Sequence, residues 1–275
     1  MASTLPPNGR LVNIGTHSLA IYAHGPEPNS PADPVVLFVS GNIARELALL
    51  IEHAPIPNPL VLVGHSWAGV LTHEYFALKG ASQVAGLVLV DANHETAPLV
   101  LDVNDPILWT KIAAGVKTYD GWGLTTSHKL TKEEWDAFIA EEATEKHKLI
   151  AQREDSEGYS QSFETLRSKG LAKRQPLLGD KPVYVIVGTR SRDWSGLYAA
   201  GVAKGNGTEE ERKHVRDMIE GVDAKTEKLM REFLQLSRKS DIVFAKESGH
   251  FVQMTQPEIV VDGVRWVLNN QPATV

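Results

Sequence analysis

The stretch Pro59-Leu60-Val61-Leu62-Val63-Gly64-His65-Ser66-Trp67-Ala68-Gly69 decides how the rest of the chain is understood. A short apolar run of buried-strand character stops at Gly64, and a helix-like run begins at Val70. Between them stands a serine. A side chain that must attack from the end of a sheet needs a sharp strand-to-helix turn, and small residues two before and two after let that turn close without a clash. Gly64 and Ala68 hold those places, so the motif is G-x-S-x-A with Gly69 one step later. The spacing predicts a serine nucleophile at position 66.

Working outward, the run after Ser66 predicts a helix to about Lys79, closed by Gly80, and then a buried strand from Val84 to Val90 that ends in Asp91. Upstream, Leu11 to Ile14 and Leu19 to Ala23 read as a hairpin around Gly15, followed by a loop from Gly25 to Pro34. Val35 to Val39 is a strand ending at Ser40-Gly41-Asn42, and Ile43 to His53 has helical period until Pro55, Pro57 and Pro59 stop it. Strands alternating with helices predict an α/β fold with a mostly parallel sheet, flanked by helices, whose functional loops lie at the carboxyl ends of the strands.

From residue 92 to 179 the pattern changes. Trp109, Tyr119, Trp122, Trp135, Phe138, Tyr159 and Phe163 stand in mixed polar surroundings, Thr131 and Glu134 form a capping-box pattern, and no continuous strand appears. We expect a helical cap insertion here, with residues 1–91 and 180–275 forming the core. Val183 to Val187 is the next strand, followed by Thr189-Arg190-Ser191-Arg192-Asp193. A charged helix, capped by Thr208 with Glu211 and entered through Asn206-Gly207, runs in pieces to about Leu236. Ile242 to Ala245 is a last strand, then Ser248-Gly249-His250, and Thr255, Pro257 and Glu258 open a final helix through Leu268.

Composition narrows the classes of function. With 275 residues, 42% hydrophobic, the chain can bury a large core, and a net charge of −6 without a Lys/Arg cluster argues against nucleic acid or an anionic membrane as partner. There are no cysteines, which excludes disulfides, thiolate metal sites and a cysteine nucleophile. No stretch approaches membrane-spanning length and no apolar leader opens the chain, so cytoplasmic residence is the expectation. No metal-ligand spacing, phosphate loop or dinucleotide fingerprint is present, so no cofactor or metal is expected. The sequence is silent on oligomeric state.

Ser66, Asp193 and His250 each fall just past the carboxyl end of a predicted strand, in that chain order. Acyl transfer by a serine needs a hydroxyl, a base to take its proton and a carboxylate to hold the base's tautomer. The order serine, acid, histidine is the one used by nucleophile-elbow folds. Among ten histidines, His250 alone occupies a glycine-preceded loop between a last strand and a last helix. His65, next to Ser66 in sequence, is expected to point away from the serine's exposed face.

GHSWAG after a strand, VLVDA after the next, a mixed helical insert and SGHFVQMTQPEIV near the end together resemble the α/β-hydrolase fold superfamily, in its esterase-like branch. The resemblance covers most of the chain and implies Ser66 as nucleophile, His250 as general base and then acid, and residues 92–179 as a cap over the substrate. It implies Asp193 as the acid, with Asp91 the alternative, at a position that a minority of the superfamily uses. Oxyanion stabilisation then falls to the backbone N–H of Trp67 and to that of Gly41 or Asn42; losing one such donor costs on the order of 3 kcal/mol of transition-state stabilisation. Trp67, Trp194 and Phe251 either pack or line an acyl pocket.

In one place the chain departs from that pattern. Relatives carry a helix, a further strand and a polar Gly-rich turn between the oxyanion loop and the helix before the elbow, whereas this chain passes from Asn42 straight to Ile43-Ala44-Arg45. One helix-strand unit after the third strand is absent, and the sheet could close by pairing the second strand with the third. The expected function is a serine hydrolase acting on an ester, lactone or related acyl bond of a small apolar substrate. The alternatives are a binding protein of the same fold without turnover, or a lyase or isomerase using His250 as base.

Overall fold

The computed structural model describes residues 8–26, 30, 33–39, 44–54, 56–57, 59–153 and 158–272. The opening hairpin, β1 (Gly9–Asn13) and β2 (Ser18–Tyr22), pairs antiparallel and forms a two-stranded sheet of its own. Its apolar side, Val12 and Ile14 with Leu19 and Ile21, packs on Leu50 and Ala54 at the end of α1 (Ala44–His53). Half of the loop expected from Gly25 to Pro34 lies outside the described residues, as do Ser40, Gly41, Asn42, Ile43 and Pro55.

The main sheet has five parallel strands side by side in chain order: β3 (Val35–Val39), β4 (Leu60–His65), β5 (Val84–Val90), β6 (Val183–Gly188) and β7 (Ser240–Ala245). Parallel pairing requires crossovers, and α1 and α2 (Ala68–Lys79) supply the first two. Every residue of β5 is buried because helices cover both faces of the sheet. Alternate side chains divide the core in two. Leu60 and Leu62 of β4 face a large cluster with Leu87, Leu89 and Val185, while Val61 and Val63 face a smaller one closed by Val260 and Val267 of α11 (Pro257–Asn269).

Between β5 and β6 the described residues contain helices and no strand. A π-helical turn (Ile107–Ile112) precedes α3 (Thr118–Gly121), α4 (Leu124–Ser127), α5 (Lys132–Glu142), α6 (Glu145–Arg153) and α7 (Ser160–Ser168). The capping box at Thr131 and Glu134 is formed, with both reciprocal hydrogen bonds present. After β6 come α8 (Arg190–Ala203) and α9 (Glu209–Glu232); α10 (Val252–Thr255) is a single turn before α11.

Three departures from the sequence expectation have physical causes. The second strand does not pair with the third: the hairpin is tied to α1 by its apolar side, which leaves β3 at the sheet edge with β4 as its partner among the described strands. The charged helix is one continuous run of 24 residues, because Val215, Val222, Thr226, Leu229 and Met230 keep one face buried throughout. The polar string after β6, to which the sequence assigned no element, is helical. It is the first turn of α8, whose polar groups are occupied by tertiary partners: Ser191 N–H and hydroxyl both bond Asp223 of α9, and Arg190 reaches Asp91.

Candidate active site

Ser66 is held at φ +56° between β4 and α2, in the left-handed region that L residues rarely occupy. The turn is fixed by three backbone bonds: Ser66 N–H to Val90 O (3.3 Å), and the N–H groups of Gly69 (3.0 Å) and Asn93 (2.8 Å) to Ser66 O. A Cβ added at Gly64 would stand 3.2 Å from the Ala68 Cβ, so the two small residues of the motif are small because they abut. The N–H of Trp67 opens α2, where the helix offers no acceptor of its own. Gly41 and Asn42, the expected second oxyanion donors, lie outside the described residues.

His250 comes from the loop after β7. Its Nε2 is 2.9 Å from Ser66 Oγ and its Nδ1 is 2.6 Å from Asp91 Oδ2. The loop is braced from below by the residues that follow it: Gln256 Oε1 accepts from Glu247 N–H (3.1 Å) and from the hydroxyl of fully buried Ser248 (2.8 Å), and Thr255 Oγ1 donates to Ser248 Oγ (2.7 Å). The SGH and TQPE segments are therefore two halves of one support.

The two candidate acids separate clearly. Asp91 terminates β5 at φ +40° and turns its carboxylate onto the His250 ring, while also accepting from Gly188 N–H (3.1 Å) and pairing with Arg190 (3.4 Å). Asp193, ranked first from sequence, does not reach the ring: its Oδ2 accepts the His250 backbone N–H at 2.8 Å. The physical reason is its place in the first turn of α8, which carries the carboxylate under the main chain of the His250 loop. Gly249 permits that approach, since a Cβ there would fall 1.7 Å from Asp193 Oδ1.

The electrostatics differ accordingly. Burial opposes ionisation of Asp91, but the hydrogen bond to His250, the Arg190 charge and the Gly188 N–H outweigh it and hold the carboxyl down at about 2. Asp193 is pushed up to about 6 because burial dominates, with the His250 N–H only partly offsetting it.

Three neighbours complete the surroundings; of these the sequence singled out His65 alone, as a residue pointing away from the exposed face of Ser66, and gave no role to Asn93 or Arg190. The His65 ring lies 4.5 Å from the His250 ring, tilted 40° to it, and bonds the His250 carbonyl oxygen through Nε2 at 2.9 Å. Burial and the nearby His250 lower its pKa to about 3, so it is a neutral donor that steadies the loop. Asn93 places Oδ1 3.4 Å from Ser66 Oγ, and Arg190 flanks Asp91. Only their positions, two past Asp91 and two past the end of β6, could have flagged Asn93 and Arg190.

Trp67 turns its indole away under the insert, donating from Nε1 to Ser162 Oγ at 3.0 Å and meeting the Tyr159 ring edge-on at 5.7 Å. Phe251 packs against Tyr119 and Trp122, and buried Trp194 belongs to the main core. Among the described residues no group of three or more His, Asp or Glu could hold a metal ion, and no helix is long and apolar enough to cross a membrane.

Comparison with known proteins gives a consistent frame. A model of the Alpha/beta hydrolase family matches residues 5–263. The chain is 26% identical over 262 residues to an AB hydrolase superfamily protein of Gibberella zeae, covering 91% of this chain and 78% of that one. It is 24% identical over 310 residues to a protein of Hormonema carpetanum named a probable transporter, efuK, covering 96% of this chain but only 43% of the relative. That aligned span exceeds the 275 residues of this chain, so the relative carries residues for which this chain has no counterpart. Among solved structures, the bromoperoxidase of Bacillus anthracis superposes with a TM-score of 0.52 at 14% identity, over 95% of this chain and 99% of that one.

Proposed function

Because this chain belongs to the alpha/beta hydrolase family, we propose that it is a serine hydrolase cleaving an ester, lactone or related acyl bond of a small apolar substrate, with Ser66 as nucleophile, His250 as base and then acid, and Asp91 as the partner of His250. One observation carries this reading: the unbroken relay from Ser66 Oγ through His250 to Asp91, mounted on a strained turn.

In the first half-reaction Ser66 Oγ bonds to the carbonyl carbon as its proton passes to His250 Nε2. The Nδ1–H, donated to Asp91, keeps the ring in the tautomer that leaves Nε2 free to accept. Negative charge gathers on the former carbonyl oxygen, and the Trp67 N–H is one donor toward it, with Gly41 or Asn42 proposed as the other. The bond to the leaving oxygen breaks and that oxygen takes the proton from Nε2. In the second half, water gives a proton to Nε2 as its oxygen bonds to the acyl carbon; the Ser66 ester bond breaks and Ser66 recovers its proton. Arg190 and the Gly188 N–H keep Asp91 anionic, so that it stabilises the imidazolium formed at each step.

A second reading is binding without turnover. It is favoured by the residues that a longer relative has and this chain lacks, and by the passage from Asn42, a proposed oxyanion donor, straight to Ile43 in the sequence. One experiment separates the two: the purified protein and Ser66→Ala are treated with a fluorophosphonate probe and with p-nitrophenyl acetate. Labelling and turnover that vanish in Ser66→Ala support the hydrolase; wild-type protein inert to both sinks it.

A further inference from the structure

A cavity of about 130 Å³ lies beside the nucleophile, lined among others by Asn93, Ala97, Leu101, Asp102, Tyr159 and Phe163. Asn93 belongs at once to its wall and to the surroundings of Ser66, with Oδ1 3.4 Å from Oγ. Tyr159 joins it to Trp67 on one side and to Phe163 on the other. A larger groove of about 810 Å³ runs between α1, α2 and α7 past Trp67; Ser66 and His250 line neither space, and Asn93, which reaches Ser66 Oγ, lines the smaller one and not the groove.

We infer that the small cavity is the acyl subsite and that it limits the substrate to a short, uncharged aliphatic acyl group of about two to five carbons. The inference rests on the serine-hydrolase reading above for its chemistry. Size sets the limit: an apolar cavity of about 150 Å³ holds a benzene molecule, so one slightly smaller has room for a butanoyl or branched pentanoyl group and none for an octanoyl chain. Side follows from Asn93: it lines the cavity and stands 3.4 Å from Ser66 Oγ, the atom that takes the acyl group, so the acyl half occupies it. Charge follows from Asp102 in the wall, which disfavours an acyl chain ending in a carboxylate. Selection falls to Ala97 and Leu101, where the insert meets the cavity.

The test has a kinetic and a binding arm. Rates are read on p-nitrophenyl acetate, butanoate and octanoate; kcat/KM is expected to fall on the order of tenfold or more from butanoate to octanoate. Ala97→Leu narrows the cavity and is expected to lower the butanoate-to-acetate ratio about tenfold, whereas Leu101→Ala raises the octanoate-to-butanoate ratio. In the binding arm, ethyl butanoate is titrated into Ser66→Ala carrying labelled methyl groups. The Ala97 and Leu101 methyl resonances are expected to shift, and ethyl octanoate to leave them in place. Octanoate accepted as well as butanoate in either arm, or methyl resonances unmoved by butanoate, overturns the inference. If butanoate moves those resonances while no ester is turned over in a Ser66-dependent way, the hydrolase reading fails and the subsite stands as a binding site.

Discussion

Ser66 and Asp91 are the two non-glycine residues held at positive φ among the described residues, and they are the two ends of one hydrogen-bond relay. Strain of this kind costs about 1–3 kcal/mol per residue and persists where surrounding structure over-determines it. Here backbone bonds from Gly69 and Asn93 hold the first and β5–β6 pairing holds the second. Asp91→Asn is therefore expected to cut kcat by about 10⁴-fold, through the wrong imidazole tautomer. Asp193→Asn keeps an acceptor oxygen for the His250 N–H and should cost far less; parallel kinetics of the two variants decide which carboxylate is the acid. Stability should respond to pH in opposite senses. Asp193 has a folded pKa near 6 against an ordinary 3.8, so its contribution is complete below about pH 4 and is lost as pH rises through about 6. Asp91, held at about 2, contributes above about pH 4 and loses that contribution as pH falls through about 2. In urea titrations, Asp193→Asn should remove the decline between pH 4 and 6, a gain over wild type at pH 7 of up to about 3 kcal/mol relative to pH 4.

At the scale of elements, the elbow was legible because its signal is local. Gly64, Ser66 and Ala68 state a turn geometry in five residues, and a strand before with a helix after agrees with it. Which carboxylate meets the His250 ring was not legible, because chain order and spacing do not say whether residue 193 lies in a loop or in a helix. The first turn of α8 shows no apolar period, its polar groups being committed to Asp91, Asp223 and the His250 loop. That turn and the loop after β7 are consequently one unit, joined where Gly249 lets Asp193 approach. Gly249→Ala should therefore destabilise by about 1–3 kcal/mol, the usual cost of forcing an extra group into a packed site. In a double-mutant cycle with Asp193→Ala, which vacates the space the new methyl needs, the two changes should be non-additive, with part of the loss recovered. Additive losses measured by thermal melts would show that the two elements are not coupled at this point.

For the whole molecule, the order of strands and crossovers was readable from apolar runs and breakers, whereas the position of the opening hairpin was not, since two short strands can pair with a sheet or stand apart. Val12 and Ile14 choose α1, and β3 is left at the edge. Along β3, Val36 joins the cluster beneath α11, but Phe38, two residues on and pointing to the same face, is 67% exposed. That bare side chain stands where the chain passes directly to α1 without a further helix-strand unit. An apolar strand at a sheet edge is a template for pairing with another chain, and a charge on it is the usual protection. Phe38→Lys should thus lower concentration-dependent association, read by light scattering across a dilution series, while shifting stability by no more than about 0.5 kcal/mol, because an exposed side chain leaves little packing to lose. If association is unchanged, the edge of β3 is not the surface through which copies of this chain meet.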